Sequence, residues 1–267
     1  MSAHQLHEVR PPAFAGAFYP ADPIELRQLV EFCLAGAIRC QRQGSVKAFV
    51  LPHAGYMYSG PIAGTGYHCL EEDRSSVERV VLLGPSHRVA FNGIAVSGAN
   101  AFATPLGEVP VDEAAVLDLL DLPQVQMLES AHEHEHSLEV HLPFLQVVLN
   151  QFTLIPLVVG DASEQEVSEV LDQVWGGAET RILISSDLSH FHDYPTARRL
   201  DEQTADRIEH LEPVATDQAC GAYPLNGLLC SARKHGLHSH LLDLRSSGDT
   251  AGDRSRVVGY GAFAFCR

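Results

Sequence analysis

Basic residues are scarce in this chain: 18 Lys plus Arg stand against 34 Asp plus Glu, a formal net charge of −16. A surface so acidic repels phosphate backbones and anionic lipid, so neither nucleic acid nor a membrane is an expected partner. Long apolar runs are missing too, and no stretch approaches the ~20 residues that cross a bilayer. The opening MSAHQLHEVRPPAF lacks the basic region and apolar core of a signal peptide, which points to a cytoplasmic location. The six cysteines (Cys33, Cys40, Cys69, Cys220, Cys230, Cys266) form no CxxC pair and read as small buried hydrophobes. None lies beside the motifs described below, which argues against a cysteine nucleophile. There is no GxSxG elbow, no GxxxxGK[ST] phosphate loop and no spaced GxGxxG, and HEHEH has the wrong spacing for HExxH.

Histidine, in contrast, is plentiful, with 15 against the 18 Lys plus Arg. Some, such as His4, His7, His235, His238 and His240, read as surface residues. Three apolar runs, KAFVLPHAGY, VVLLGPSH and ILISSDLSH, each read as a buried strand that delivers a histidine past its C-terminal end: His53, His87 and His190. In an open α/β sheet, ligands bind in the crevice outside the carboxyl ends of the strands. Strands are expected at 46–51, 79–83, 93–96, 153–159, 181–184, 240–244 and 257–265. Helices are expected between them at 23–37, 60–71, 112–120, 138–150, 163–175, 196–211 and 225–234. This alternation predicts an α/β fold, a single-domain three-layer α/β/α sandwich over residues 1–267 with a mostly parallel or mixed central sheet. Residues 1–20, with the Pro-rich VRPPAFAGAFYPADP, read as an extended arm packed on the domain, with a lid or subunit contact as the alternative.

A lone histidine after a strand is more often structural than functional, but two at successive strand ends favour a metal site. His53 and His87 are therefore the expected ligands, and two imidazoles with a carboxylate suit Fe(II). The carboxylate has two candidates. Asp249 lies in the Gly- and Ser-rich RSSGDTAGDRSRVVGY, where an Asx turn is the plainer reading. Glu139 lies in AHEHEHSLEVHLPF, where His136, Glu139 and His141 fall near one another at helical spacing. That stretch is read as a solvated helix entry or as support around the site, with Tyr56 and Ser86 as further pocket residues. In SSDLSHF, Asp187 and His190 read as an acid/base pair, the plainer alternative being that Ser185, Ser186 and Asp187 cap the following helix.

PHAGYMYSG, GPSH, EHSLEVHLPFL, SSDLSHF and SGDTAGDRSRVVGY occur in an order that resembles the Memo family, also called AmmeMemoRadiSam system protein B. The resemblance implies the fold of class III extradiol dioxygenases, non-haem iron enzymes with a two-His-one-carboxylate site and a nearby catalytic histidine. It carries metal-ligand roles onto His53 and His87 and the acid/base role onto His190. The animal relative has a cysteine as third ligand and binds iron or copper; here that position falls on Asp249, leaving no soft ligand. Radical SAM and AMMECR1-domain proteins are the implied pathway partners. The resemblance thus implies an iron-dependent oxidoreductase acting on an unknown small molecule. A non-catalytic adaptor and a zinc hydrolase at the same site are the alternatives.

Overall fold

The computed structural model describes residues 9–40 and 44–267; the first eight residues of the expected arm, with His4 and His7, lie outside them. In chain order come β1 (Val9–Arg10), α1 (Pro23–Ala35), β2 (Val46–Leu51), α2 (Tyr56–Glu71) and β3 (Arg79–Pro85). Next are β4 (Ile94–Val96), β5 (Ala101–Thr104), β6 (Gly107–Pro110), α3 (Glu113–Leu119) and β7 (Val125–Met127). Three short helices follow, α4 (Glu129–Glu133), α5 (His136–Glu139) and α6 (Leu142–Val148), then β8 (Thr153–Val159) and α7 (Glu164–Gln173). The chain ends with β9 (Thr180–Ser185), β10 (His190–His192), α8 (Tyr194–Glu209), α9 (Ala222–His235), β11 (His238–Ser246), α10 (Ser247–Thr250) and β12 (Val257–Cys266).

The strands of the main sheet lie in the order β10-β12-β2-β9-β3-β8-β4-β7, with β11 also paired to β12. Its centre, β2-β9-β3-β8, is parallel, and the flanking pairs β12–β2 and β4–β8 are antiparallel. The fold is thus an α/β sandwich on a mixed sheet, as the sequence predicts. Parallel strands are covered on both faces and so are apolar without alternation. Val80, Val81, Leu82 and Leu83 are all buried, each worth about 1.5–3 kcal/mol. Helices α7 and α9 pack together, with α9 on β3 and β9, while α1, α2 and α6 form a second packed group, with α2 on β2, β11 and β12.

Local chemistry sets the helix ends. Asp22 accepts from the Ile24 and Glu25 amides to start α1, with Pro23 in the first turn. Two expected helices come out differently. Helix α2 begins at Tyr56, four residues before the expected start, because the arm carbonyl of Phe18 accepts the Tyr56 amide at 2.8 Å. Pro61 then lies inside the helix, and the carbonyl it leaves without a donor is that of exposed Met57. The helix expected at 138–150 is two helices, α5 and α6. Pro143 has no N–H to give Glu139, so the chain breaks and restarts at Leu142. The cysteines also differ from expectation: Cys40 and Cys69 form a disulfide that ties the segment after α1 to α2.

Because β9 sits between β2 and β3, the carboxyl ends of three parallel strands lie side by side at the middle of the sheet. Two glycines let the helices press close there. A Cβ on Gly66 would meet Leu51 of β2 at 2.2 Å, and one on Gly84 would meet Ser137 Oγ at 2.5 Å. The second approach brings α5 onto the end of β3, and Ser137 Oγ donates to the Pro85 carbonyl at 2.9 Å.

Candidate metal centre

His53, His87 and His136 converge so that one ring nitrogen from each lies within 4.8 Å of the others. His87 and His136 stack with centroids 4.5 Å apart, and His53 meets His87 edge-on at 5.1 Å. Among the described residues this is the group of His, Cys, Asp and Glu side chains able to hold an ion. Two of its members come from strand ends. The third comes from α5, in the stretch read from sequence as supporting the site.

The hydrogen bonds fix which nitrogens are free. Ser185 Oγ at the end of β9 contacts the Ser137 carbonyl at 2.5 Å, His53 Nδ1 at 2.6 Å and His141 Nε2 at 3.0 Å. A hydroxyl has one proton, and a carbonyl can only accept, so the proton goes to Ser137. Both imidazoles must then donate to Ser185 Oγ, which leaves the lone pair of His53 on Nε2. His141 is settled by the same step, because its Nδ1 accepts from Tyr67 Oη at 2.8 Å. His87 Nδ1 donates to Glu135 Oε1 at 2.8 Å, so its lone pair is also on Nε2. A carboxylate or hydroxyl behind each ring is how a protein orients histidine ligands.

Glu135 is the residue that sequence reasoning missed. It is buried, and beyond His87 Nδ1 it accepts the His87 and Ser137 amides at 2.6 and 2.9 Å. Burial pushes its carboxyl up, but the bonds from His87 and Ser137 prevail and hold it at about 2. Two of the three histidines stay neutral. Burial drives His53 well below the ordinary range and His136 down to about 4, the neighbouring imidazoles adding to both effects. His136 Nδ1 is buried with no hydrogen bond; Glu135 Oε1, at 3.4 Å, is poorly placed to accept. Converging imidazoles and an orphaned buried nitrogen fit a transition-metal ion better than they fit a structural cluster.

The arm walls this site. Fully buried Glu139 accepts from Arg10 Nη1 at 2.7 Å, the Ala13 and Phe14 amides at 2.9 and 2.8 Å, and Tyr19 Oη at 2.5 Å. Both of its oxygens are therefore committed to residues 10–19. The arm in turn lays Phe14 and Phe18 against the His136 ring, at 5.4 and 4.7 Å.

Asp187 is buried and accepts the His53 amide at 2.8 Å; desolvation, opposed by that bond, raises its carboxyl to about 7. His190 Nδ1 donates not to Asp187 but to the Leu188 carbonyl at 2.8 Å, leaving Nε2 free. Asp249 lies outside the three-histidine group. Its Oδ2 accepts from the Ser246 amide and hydroxyl, and its Oδ1 from Tyr194 Oη at 2.6 Å. Tyr56 Oη donates to the Val140 carbonyl, and Ser86 Oγ to the Val89 carbonyl. A cysteine does lie at the site, contrary to the sequence reading: Cys220 Sγ is 3.3 Å from His53 Nε2. Burial pushes this thiol up, so it is held as a protonated S–H beside His53. Cys220 and Ser86 also border a cleft of about 670 Å³ that runs to Asp161 and Tyr223.

A sequence profile described as "Memo-like protein" matches residues 10–264. A MEMO1 family protein of Sulfolobus acidocaldarius is 35% identical, over 94% of this chain and 97% of its own. Those of Ignicoccus hospitalis and Methanopyrus kandleri are each 34% identical, covering 96% and 97% of this chain and 98% and 99% of their own. With the profile and these relatives spanning nearly its whole length, the chain belongs to the Memo family.

Proposed function

We propose that this protein is a metal-dependent oxidoreductase of the cytoplasm, holding iron(II) on His53, His87 and His136 and acting on a small molecule. The observation that carries the reading is the pair of Nε2 lone pairs fixed by Ser185 and Glu135 beside a third unpartnered imidazole. Iron bound there would supply coordination positions for dioxygen and for substrate. His190, its Nδ1 anchored on Leu188, presents Nε2 to move a proton, and Asp187 holds the His53 backbone rather than that ring. Phe14 and Phe18 keep water from the His136 side. Asp249 becomes a ligand only by exchanging its bonds to Ser246 and Tyr194. Pathway partners of the radical SAM and AMMECR1-domain classes belong to the same proposal.

Anaerobic purification and elemental analysis test it. Stoichiometric iron is expected in the wild type, lost in His53→Ala, His87→Ala and His136→Ala and retained in Asp249→Ala. Iron lost with Asp249 but kept without His136 would replace the third ligand. A second reading is a zinc hydrolase, favoured because three histidines also suit catalytic zinc; zinc rather than iron in the anaerobic protein selects it.

A further inference from the structure

Phe191 follows His190 directly and breaks two rules at once. Its φ is +65°, a left-handed conformation that a bulky side chain rarely adopts, and it is 60% exposed. Strain of this kind persists where the surroundings impose it and clusters at ligand sites. The surroundings here are a bulge. His190 pairs with Val258 and His192 with Val257, so Phe191 is the residue left over between β10 and β12. Bulges next to sites re-aim a side chain. This one sets the Phe191 ring edge-on to the His190 imidazole, with centroids 5.6 Å apart.

The other side of the ring is occupied by charge. The guanidinium of Arg256, just ahead of β12, lies 4.5 Å from the Phe191 centroid. Among the described residues no carboxylate pairs with Arg256, although acids outnumber bases 34 to 18 in the chain. A strip therefore runs outward from the proton-transfer candidate: imidazole, apolar ring, unpaired cation.

We propose that this strip selects the substrate, a small organic anion whose apolar face lies on Phe191 and whose oxyanion pairs with Arg256. The inference rests on the reading of His190 as part of the reacting site. Phe191 and Arg256 are specificity residues, and the backbone strain at Phe191 is retained for binding rather than for stability. A planar guanidinium stacked on a ring stays oriented for an oxyanion, and its donor fork matches carboxylate or phosphate.

Calorimetric titration with benzoate, phenyl phosphate and neutral benzamide, on protein with and without added metal, tests this. At least one of the two anions should bind about fivefold or more tighter than benzamide, and which one does identifies the oxyanion. Arg256→Gln should abolish that preference, while Arg199→Gln, the same charge change on α8, should keep it. Phe191→Gly should weaken all three probes and leave the melting temperature unchanged or higher, since glycine adopts this φ without strain. Equal binding of anions and benzamide, or a preference that survives Arg256→Gln, overturns the proposal. So does Phe191→Gly that melts lower yet binds normally. Loss of metal binding with the anion preference intact would refute the proposed metal function alone.

Discussion

Replacing Glu135 by Gln changes one atom in a buried carboxyl and tests the reasoning that assigns the lone pairs. Glu135 accepts three hydrogen bonds, from the His87 amide, His87 Nδ1 and the Ser137 amide. An amide has one accepting oxygen, so if it keeps His87 Nδ1 and Ser137, its NH₂ faces the His87 N–H, donor against donor. A carboxyl that falls from the usual 4.5 to about 2 on folding contributes about 3 kcal/mol to stability. The sign follows from the depression: the contribution is complete above pH 4.5 and is lost as pH falls toward 2. Between those limits the unfolded chain binds the proton and the native one does not, so stability drops by about 1.4 kcal/mol per pH unit. Urea titrations of metal-free protein should therefore show Glu135→Gln weaker by about 3 kcal/mol at pH 7 and by about half that at pH 3.5. The variant should also bind metal about 10–100-fold more weakly, because His87 loses the anion that sets its tautomer. A midpoint equal to wild type at pH 7, or a gap unchanged at pH 3.5, would refute the reasoning.

Two further outcomes follow from packing and topology. Gly84→Ala places a methyl 2.5 Å from Ser137 Oγ, so it should cost about 1–3 kcal/mol and displace His136, measured as lower melting temperature with weaker metal binding. Reducing Cys40–Cys69, which closes a loop with a sequence separation of 29, should cost about 3–4 kcal/mol in urea titrations with and without a phosphine reductant, and Cys40→Ser should be insensitive to the reductant.

The fold was legible where burial leaves a simple mark. Strands β2 and β8 have the expected boundaries because parallel strands covered on both faces are unbroken apolar runs. The short strands β1, β5, β6, β7 and β10 have only two to four residues each and carry no such pattern. The start of α2 was hidden for another reason: its first amide is received by Phe18, a residue 38 positions earlier in the chain. Likewise, the pairing of Cys40 with Cys69 depends on α2 packing beside the segment after α1, which spacing does not encode.

The site divides along the same line. A histidine after an apolar run points to a strand end, and sheet order does the rest, so His53 and His87 were visible. His136 was visible only as one of several histidines in AHEHEHSLEVHLPF, because what separates them is tertiary. His132 Nε2 lies 3.0 Å from the Ala95 carbonyl, His134 is exposed, and His141 is bound by Tyr67 and Ser185. Of the four, His136 is the one whose ring converges with those of His53 and His87. The acids sort the same way: Glu139 is committed to the arm, Asp249 to Ser246 and Tyr194, and Glu135 to His87. Glu135, Glu139 and Asp249 are thus each bound to something else, and the nitrogens that converge belong to imidazole rings. The three proposed ligands include no carboxylate, so an acidic protein can still admit an anion along Phe191 and Arg256.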